Sequence, residues 1–199
     1  MVSRVVAYII DGFIVGILAS ISATLLGLNS TFGAGGIEDL IADFDVSVLT
    51  VAVGLLYFVG SWSDGRRATL GQRLFQIQVG NAFDGRPLTV EQAVRRWLGY
   101  GQFLTLFTFD VSIAGVAGLL QFAWFIALLV STATSPTRQG LHDRLANTAV
   151  VRPTTAGRTV AVTCLVIIVA LVVIAVVGMM VFLLSVDGQE ILRRMMERV

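Results

Sequence analysis

The sequence predicts an all-α polytopic membrane protein of about five transmembrane helices, with a small cytoplasmic β-hairpin element. Three observations predict it. Charged residues make up 14% of the chain and hydrophobic ones 56%, against about 25% charged in a typical soluble domain. The run from Val160 to Val186 contains no charged residue, and about 20 apolar residues suffice to cross a bilayer. The remaining apolar runs alternate with arginine-rich segments, the pattern of spans separated by loops.

Taken in order, Val5 to Leu28 reads as a first membrane helix with Asp11 inside it. Asn29 to Asp45 reads as a Gly-rich outer loop carrying Glu38, Asp39, Asp43 and Asp45 and no arginine. Val46 to Trp62 is a second helix. Ser63 to Arg96 is polar and holds six arginines, including Arg66, Arg67 and Arg73. Cytoplasmic loops are the basic ones, so this loop goes inside and the N-terminus with it. Thr134 to Arg158 is also arginine-rich and belongs inside. The apolar stretch between them, Trp97 to Ala133, must then cross an even number of times. As one helix it would be about 55 Å long, too long for a single crossing of about 30 Å. Two short crossings broken near Asp110 and Gly115 fit, and the C-terminus is then outside. A four-span arrangement with Trp97–Asp110 re-entrant is the alternative. The tail Asp187–Val199 carries arginines that five spans would place outside, against the rule.

The inner loop has structure of its own. Phe75 to Val79 alternates like a short strand, Asp84-Gly85 marks a turn, and Thr89 with Gln92 forms a capping box opening a helix through Arg95, Arg96 and Trp97. Thr148 to Arg152 is the expected partner of the Phe75 strand. No internal repeat stands out.

Several functions are excluded at this level. A net charge of +1 gives no nucleic-acid surface. Every basic residue is arginine, so no lysine is present for Schiff-base chemistry. Cys164 is alone, and one histidine gives no metal-ligand spacing. Asp11 interrupts the first run, which argues against a cleavable signal peptide. There is no nucleophile elbow, metal-binding helix motif or phosphate loop, so neither enzymatic activity nor a cofactor is expected.

The residues that remain are charged ones in or beside apolar segments. Arg4 and Asp11 are seven apart and share a helix face. An intramembrane carboxylate faces the bundle interior with a partner, either as a structural ion pair or as a proton- or cation-handling group. Gly12, Gly16 and Ser20, with Thr24, form a small-residue stripe expected to pack the first helix closely into the bundle. In "TLGQRL", Gly71 permits close backbone approach and Arg73 lies near the inner headgroups. In "LHDRLANTAVV", His142 is either a proton shuttle or part of a hydrogen-bonded turn. Asp143 has Arg144 as a local partner and Arg4 or Arg73 as distant ones.

Arg4-x-x-Ala7-x-x-x-Asp11, "TLGQRL" and "LHDRLANTAVV" together resemble the RDD family of bacterial membrane proteins, named for one arginine and two aspartates. The resemblance runs from about Ser3 to Val151. It divides the chain into an RDD-like membrane domain, 1–152, and an additional transmembrane helix with a short tail, 153–199. It implies that Arg4, Asp11 and Asp143 are the family's three residues. It also implies a multi-pass protein of the bacterial inner membrane, N-terminus cytoplasmic, transporting an unidentified ligand, with cation/proton antiport as one form. Gln72 departs from the pattern, where relatives often have lysine. On this reading Arg4, Asp11, Arg73, His142, Asp143 and Arg144 form a buried charge network at the inner mouth of the bundle. Asp11 is its switchable carboxylate. The partners are the lipid bilayer, a small ligand or cation, and a second copy or another membrane protein. The competing reading is a non-catalytic scaffold or accessory subunit.

Overall fold

The computed structural model describes residues 2–28, 37–107 and 111–151. The predicted span Val160–Val186, the tail, the additional domain 153–199 and Asp110 lie outside them. Among the described residues three helices are long and apolar enough to cross a membrane: Val2–Leu25, Ile41–Ser63 and Ile113–Thr134.

Helix α1 (Val2–Leu25) buries Ala7, Asp11, Val15, Ala19 and Ala23. Four-residue steps keep these on one face, and their small size brings the neighbouring helices close. Gly27 ends the helix at φ 70°. Its N–H donates to Thr24 O at 3.1 Å and that of Leu28 to Ala23 O at 2.9 Å, a Schellman ending that needs the left-handed region. The packing face is one residue round from the one expected. Gly12, Gly16 and Ser20 are exposed among the described residues, and Gly16 and Ser20 line a groove against Val46 and Thr50.

Helix α2 (Ile37–Ser63) starts earlier than predicted. Glu38, Asp39, Asp43 and Asp45 therefore fall within the helix and not in a loop. Then come α3 (Leu70–Leu74), β1 (Gln78–Asn81) and α4 (Val90–Gly99). The Thr89–Gln92 capping box is present as expected. A 3-10 turn (Gln102–Phe107), α5 (Val111–Thr134), α6 (Leu141–Leu145) and β2 (Thr148–Val151) complete the order. Of the predicted pair of short crossings, Ile113–Thr134 is long and apolar enough to span. Helix α5 runs unbroken through Gly115, Asp110 lies outside the described residues, and a further break falls at Gly101, where φ is 76°. A Cβ there would lie 2.7 Å from the ring of Trp124, so only glycine fits. Trp124 Nε1 donates to Gly99 O at 3.0 Å, satisfying a carbonyl that the break leaves free.

β1 pairs antiparallel with β2, Val79 opposite Val150. The partner is the one predicted, but the strand starts at Gln78 because Gln76 has φ 53°, which ends any extended run at Phe75. The strands are far apart in sequence, so the element is a two-stranded sheet and not a hairpin.

The structure also reveals an internal repeat. The order α1–α2–α3–β1 recurs as α4–α5–α6–β2. Leu70-Gly71-Gln72-Arg73-Leu74 matches Leu141-His142-Asp143-Arg144-Leu145, each residue 71 positions after its counterpart. The preceding long helices end at Ser63 and Thr134, the same distance apart. Among the described residues the non-glycine positions with positive φ are Arg67, Gln76, Arg138 and Asn147, two pairs at that spacing. Val79 and Val150 are counterparts and face each other, so a pseudo-two-fold axis passes through the sheet. The segments 2–81 and 90–151 repeat this order of helices and strand, the second with a 3-10 turn added after its first helix. The sequence hid the repeat because its identities are few and scattered: Leu70, Arg73 and Leu74 recur as Leu141, Arg144 and Leu145, with isolated matches such as Arg67 with Arg138 and Val79 with Val150.

Candidate functional site

Asp11 is 1% exposed, and α1 alone offers its carboxylate no donor. Its partners come from α2 and the start of α3. Oδ1 accepts from the Tyr57 hydroxyl at 2.6 Å and from Gly71 N at 2.8 Å. Oδ2 accepts from Thr69 Oγ1 at 2.6 Å. Thr69 is the N-cap of α3 and forms a capping box with Gln72. Gly71 makes this docking possible. A Cβ there would collide with Ala7 O and lie 2.9 Å from Asp11 Cγ. The close approach expected of Gly71 is therefore present, while the expected Arg4–Asp11 pairing is not.

Asp143, fully buried, organises the other half. It sits at the third position of α6, and Oδ2 accepts from Gly140 N at 3.0 Å, as N3 acids do at helix starts. Its main partner is Arg96, which donates to Oδ1 from NH1 and also to Thr148 Oγ1. Arg4 approaches Oδ2 at 3.5 Å and donates to Arg138 O at 2.6 Å and Val150 O at 3.1 Å. Each repeat thus sends one arginine, from its first helix, to the same carboxylate. The guanidinium of Arg96 also lies over Trp62, 5.1 Å from the ring centroid. Breaking a buried pair of this kind costs about 3–5 kcal/mol because the partner charge is stranded.

Of the other predicted members, Arg73 Nε donates to Ala68 O at 3.0 Å and Arg144 to Ser135 Oγ at 3.1 Å. These two counterparts each fold back on the loop before their own short helix, and neither reaches Asp143. His142 is buried, stacked on Tyr100 at 4.4 Å between centroids, with Nε2 3.4 Å from Asp143 Oδ1. Burial, then the positive charge of Arg96, push the imidazole down to about 3 despite Asp143 beside it. It is neutral at any ordinary pH. Asp143 is raised by burial, but Arg96 outweighs this with help from His142 and Arg4, and holds it below the usual carboxylate range.

These groups surround a cavity of about 60 Å³ between the repeats. Arg4, Tyr8, Asp11 and Gln72 line it from the first repeat, and Arg96, Tyr100, Thr132 and His142 from the second. Phe58, Phe125, Leu128 and Leu129 supply apolar walls. Among the described residues no group of three or more His, Cys, Asp or Glu is placed to hold a metal ion.

Arg96 was the main omission from the sequence-based network. A signal for it existed. Ala93, Arg96, Trp97 and Tyr100 share one helix face, whereas Arg95 points out and pairs with Glu91. Tyr57, Thr69 and Tyr8 carried no comparable signal, because their partners are brought near only by folding.

No curated protein and no solved structure matches the chain. The RDD family model matches residues 1–147. That span holds Arg4 and Asp11 on α1, the "TLGQRL" helix on which Asp11 docks, and the Asp143 that Arg4 and Arg96 share, and the chain belongs to the RDD family.

Proposed function

We propose that this protein is a non-enzymatic transporter of a small ligand, and that the cavity between the repeats is its binding site. The observation that carries the reading is the lining, drawn from both halves of an internally repeated bundle and polar within an apolar surround. Transporters built from parallel repeats place their ligands at the repeat interface. A volume of about 60 Å³ accommodates a few water molecules or one small ion, each water needing about 10–15 Å³. In this reading α4 and the 3-10 turn make a broken crossing of about 27 Å, which restores five spans when the run Val160–Val186 is included. The N-terminus and the sheet are cytoplasmic, the host is the bacterial inner membrane, and a homo-oligomer is the working form.

Asp11 plays a different part from a switchable carboxylate. Three donors fixed on α2 and α3 engage it, so its role is to hold α3 against α1. The test is flux in sealed proteoliposomes under sodium, potassium, proton and chloride gradients. Wild-type flux should be lost in Leu129→Trp, which fills the cavity, and should persist in folded Asp11→Asn. Flux that survives Leu129→Trp removes the cavity from the pathway. Flux abolished by Asp11→Asn at matched folded protein restores the titrating role.

A second reading, an accessory subunit that binds another membrane protein, has one observation in its favour. Gly12, Gly16 and Ser20 are exposed on α1 among the described residues, with no heavy atom within 4 Å of a Cβ built on either glycine. Absence of flux under all four gradients, together with co-purification of a partner lost on Gly16→Leu, favours it.

A further inference from the structure

The cavity has an imbalance of hydrogen-bonding groups. Both nearby carboxylates are filled by protein donors: Asp11 by Tyr57, Thr69 and Gly71, and Asp143 by Arg96, Gly140 and Arg4. A carboxylate offers about four lone-pair sites, so little acceptor capacity is left for a cation.

Donors, by contrast, remain. The Tyr8 hydroxyl accepts from Gln102 and the Tyr100 hydroxyl from Arg96, which leaves both phenol protons uncommitted. Gln72 uses its amide oxygen for Trp62 and Thr69 and keeps its NH₂ group. Arg96 Nε is buried and has no partner among the described residues. The guanidiniums of Arg4 and Arg96 are matched in charge by the carboxylates of Asp11, on the lining, and of Asp143, their ion-pair partner. The surplus is therefore one of free donors over free acceptors, and this favours an anion, which only accepts, over a cation.

We propose that the cavity binds a small monovalent inorganic anion of the size of chloride, held by the Tyr8 and Tyr100 hydroxyls and the guanidinium groups of Arg4 and Arg96. This names the ligand class of the site proposed above and rests on that cavity being a ligand site. An anion with an organic body does not fit in about 60 Å³. The apolar walls disfavour a strongly hydrated dianion, whose desolvation two guanidiniums do not offset.

The test uses the purified full chain in detergent. Its thermal unfolding is followed while sodium chloride replaces sodium gluconate at constant sodium and ionic strength. A saturable rise in Tm with chloride is expected. Tyr8→Phe removes one hydroxyl and keeps the ring that stacks with Phe58, Tyr100 and Phe125. It should raise the half-saturating concentration about tenfold, the weight of one hydrogen bond to a charge. Arg4→Gln should do the same or more. Absence of a saturable response in wild type, or a response unchanged in Tyr8→Phe, overturns the proposal, as does saturable stabilisation by sodium in gluconate. Chloride flux in proteoliposomes separates the two ideas. Binding without flux keeps the anion site and removes transport. Cation flux without chloride binding keeps transport and removes the anion site.

Discussion

His142 shows how much a residue's surroundings decide its chemistry. An isolated histidine titrates near 6.5 and suits a proton shuttle, whereas this one is held neutral by burial and by Arg96. The unfolded chain therefore binds a proton below pH 6.5 that the folded chain refuses until about pH 3. Stability from this group is complete above 6.5 and falls as the pH drops from 6.5 towards 3, by up to about 1.4 kcal/mol per pH unit. Thermal unfolding in detergent at pH 7.5 and pH 5.0 should show a larger loss for wild type than for His142→Gln. Equal losses would mean that His142 takes up its proton in the folded protein. Asp143, held below the usual carboxylate range, keeps its contribution between pH 7.5 and 5.0 and begins to lose it only as the pH falls below the ordinary carboxylate pKa.

The elements are tied together by a few polar contacts of unequal strength. Asp143 joins α6 to α4 through fully buried Arg96, and to α1 through Arg4, whose side chain is 25% exposed. Asp143→Ala strands Arg96 and should cost about 3–5 kcal/mol. Arg4→Ala should cost about 1 kcal/mol, as expected of a longer, partly solvated pair. The double mutant should fall short of the sum by about 0.5–1 kcal/mol, near the low end for coupled residues, because Arg4 also holds Arg138 O and Val150 O. Chemical unfolding of the four proteins in one detergent measures this. A strictly additive result would show that Arg4 belongs to the sheet alone. Helices α3 and α6 are alike in sequence and length, yet they dock by opposite means. The first offers its N-terminal donors to Asp11, and the second offers a carboxylate to two arginines.

At the scale of the molecule, the pseudo-two-fold repeat makes a prediction about topology. If α4 and the 3-10 turn cross the membrane as α1 does, Gly27 and Phe107 lie on one side and Phe83, between β1 and α4, on the other. In a Cys164→Ala background, an impermeant thiol reagent applied outside intact cells should label Gly27→Cys and Phe107→Cys. It should reach Phe83→Cys only after permeabilisation. Protection of Phe107→Cys from outside would make the segment re-entrant and reduce the spans by one.

The sequence by itself determined the class of this protein. Long uncharged runs have few stable environments other than lipid, and each of the three apolar helices among the described residues begins or ends within a few residues of where hydropathy placed it. Local rules also settled the Thr89 capping box and the Asp84-Gly85 turn, since each depends on neighbours in the chain. Only the tertiary structure decided the partners of the charges. Asp11 and Arg4 share a helix face, but hydrogen bonding rewards proximity of atoms, and α2 and the start of α3 bring three donors to Asp11 while Arg4 turns towards Asp143. Nor could hydropathy show the additional break at Gly101. That break rests on Trp124, 23 residues further along the chain, seating its ring against a glycine that has no side chain to oppose it.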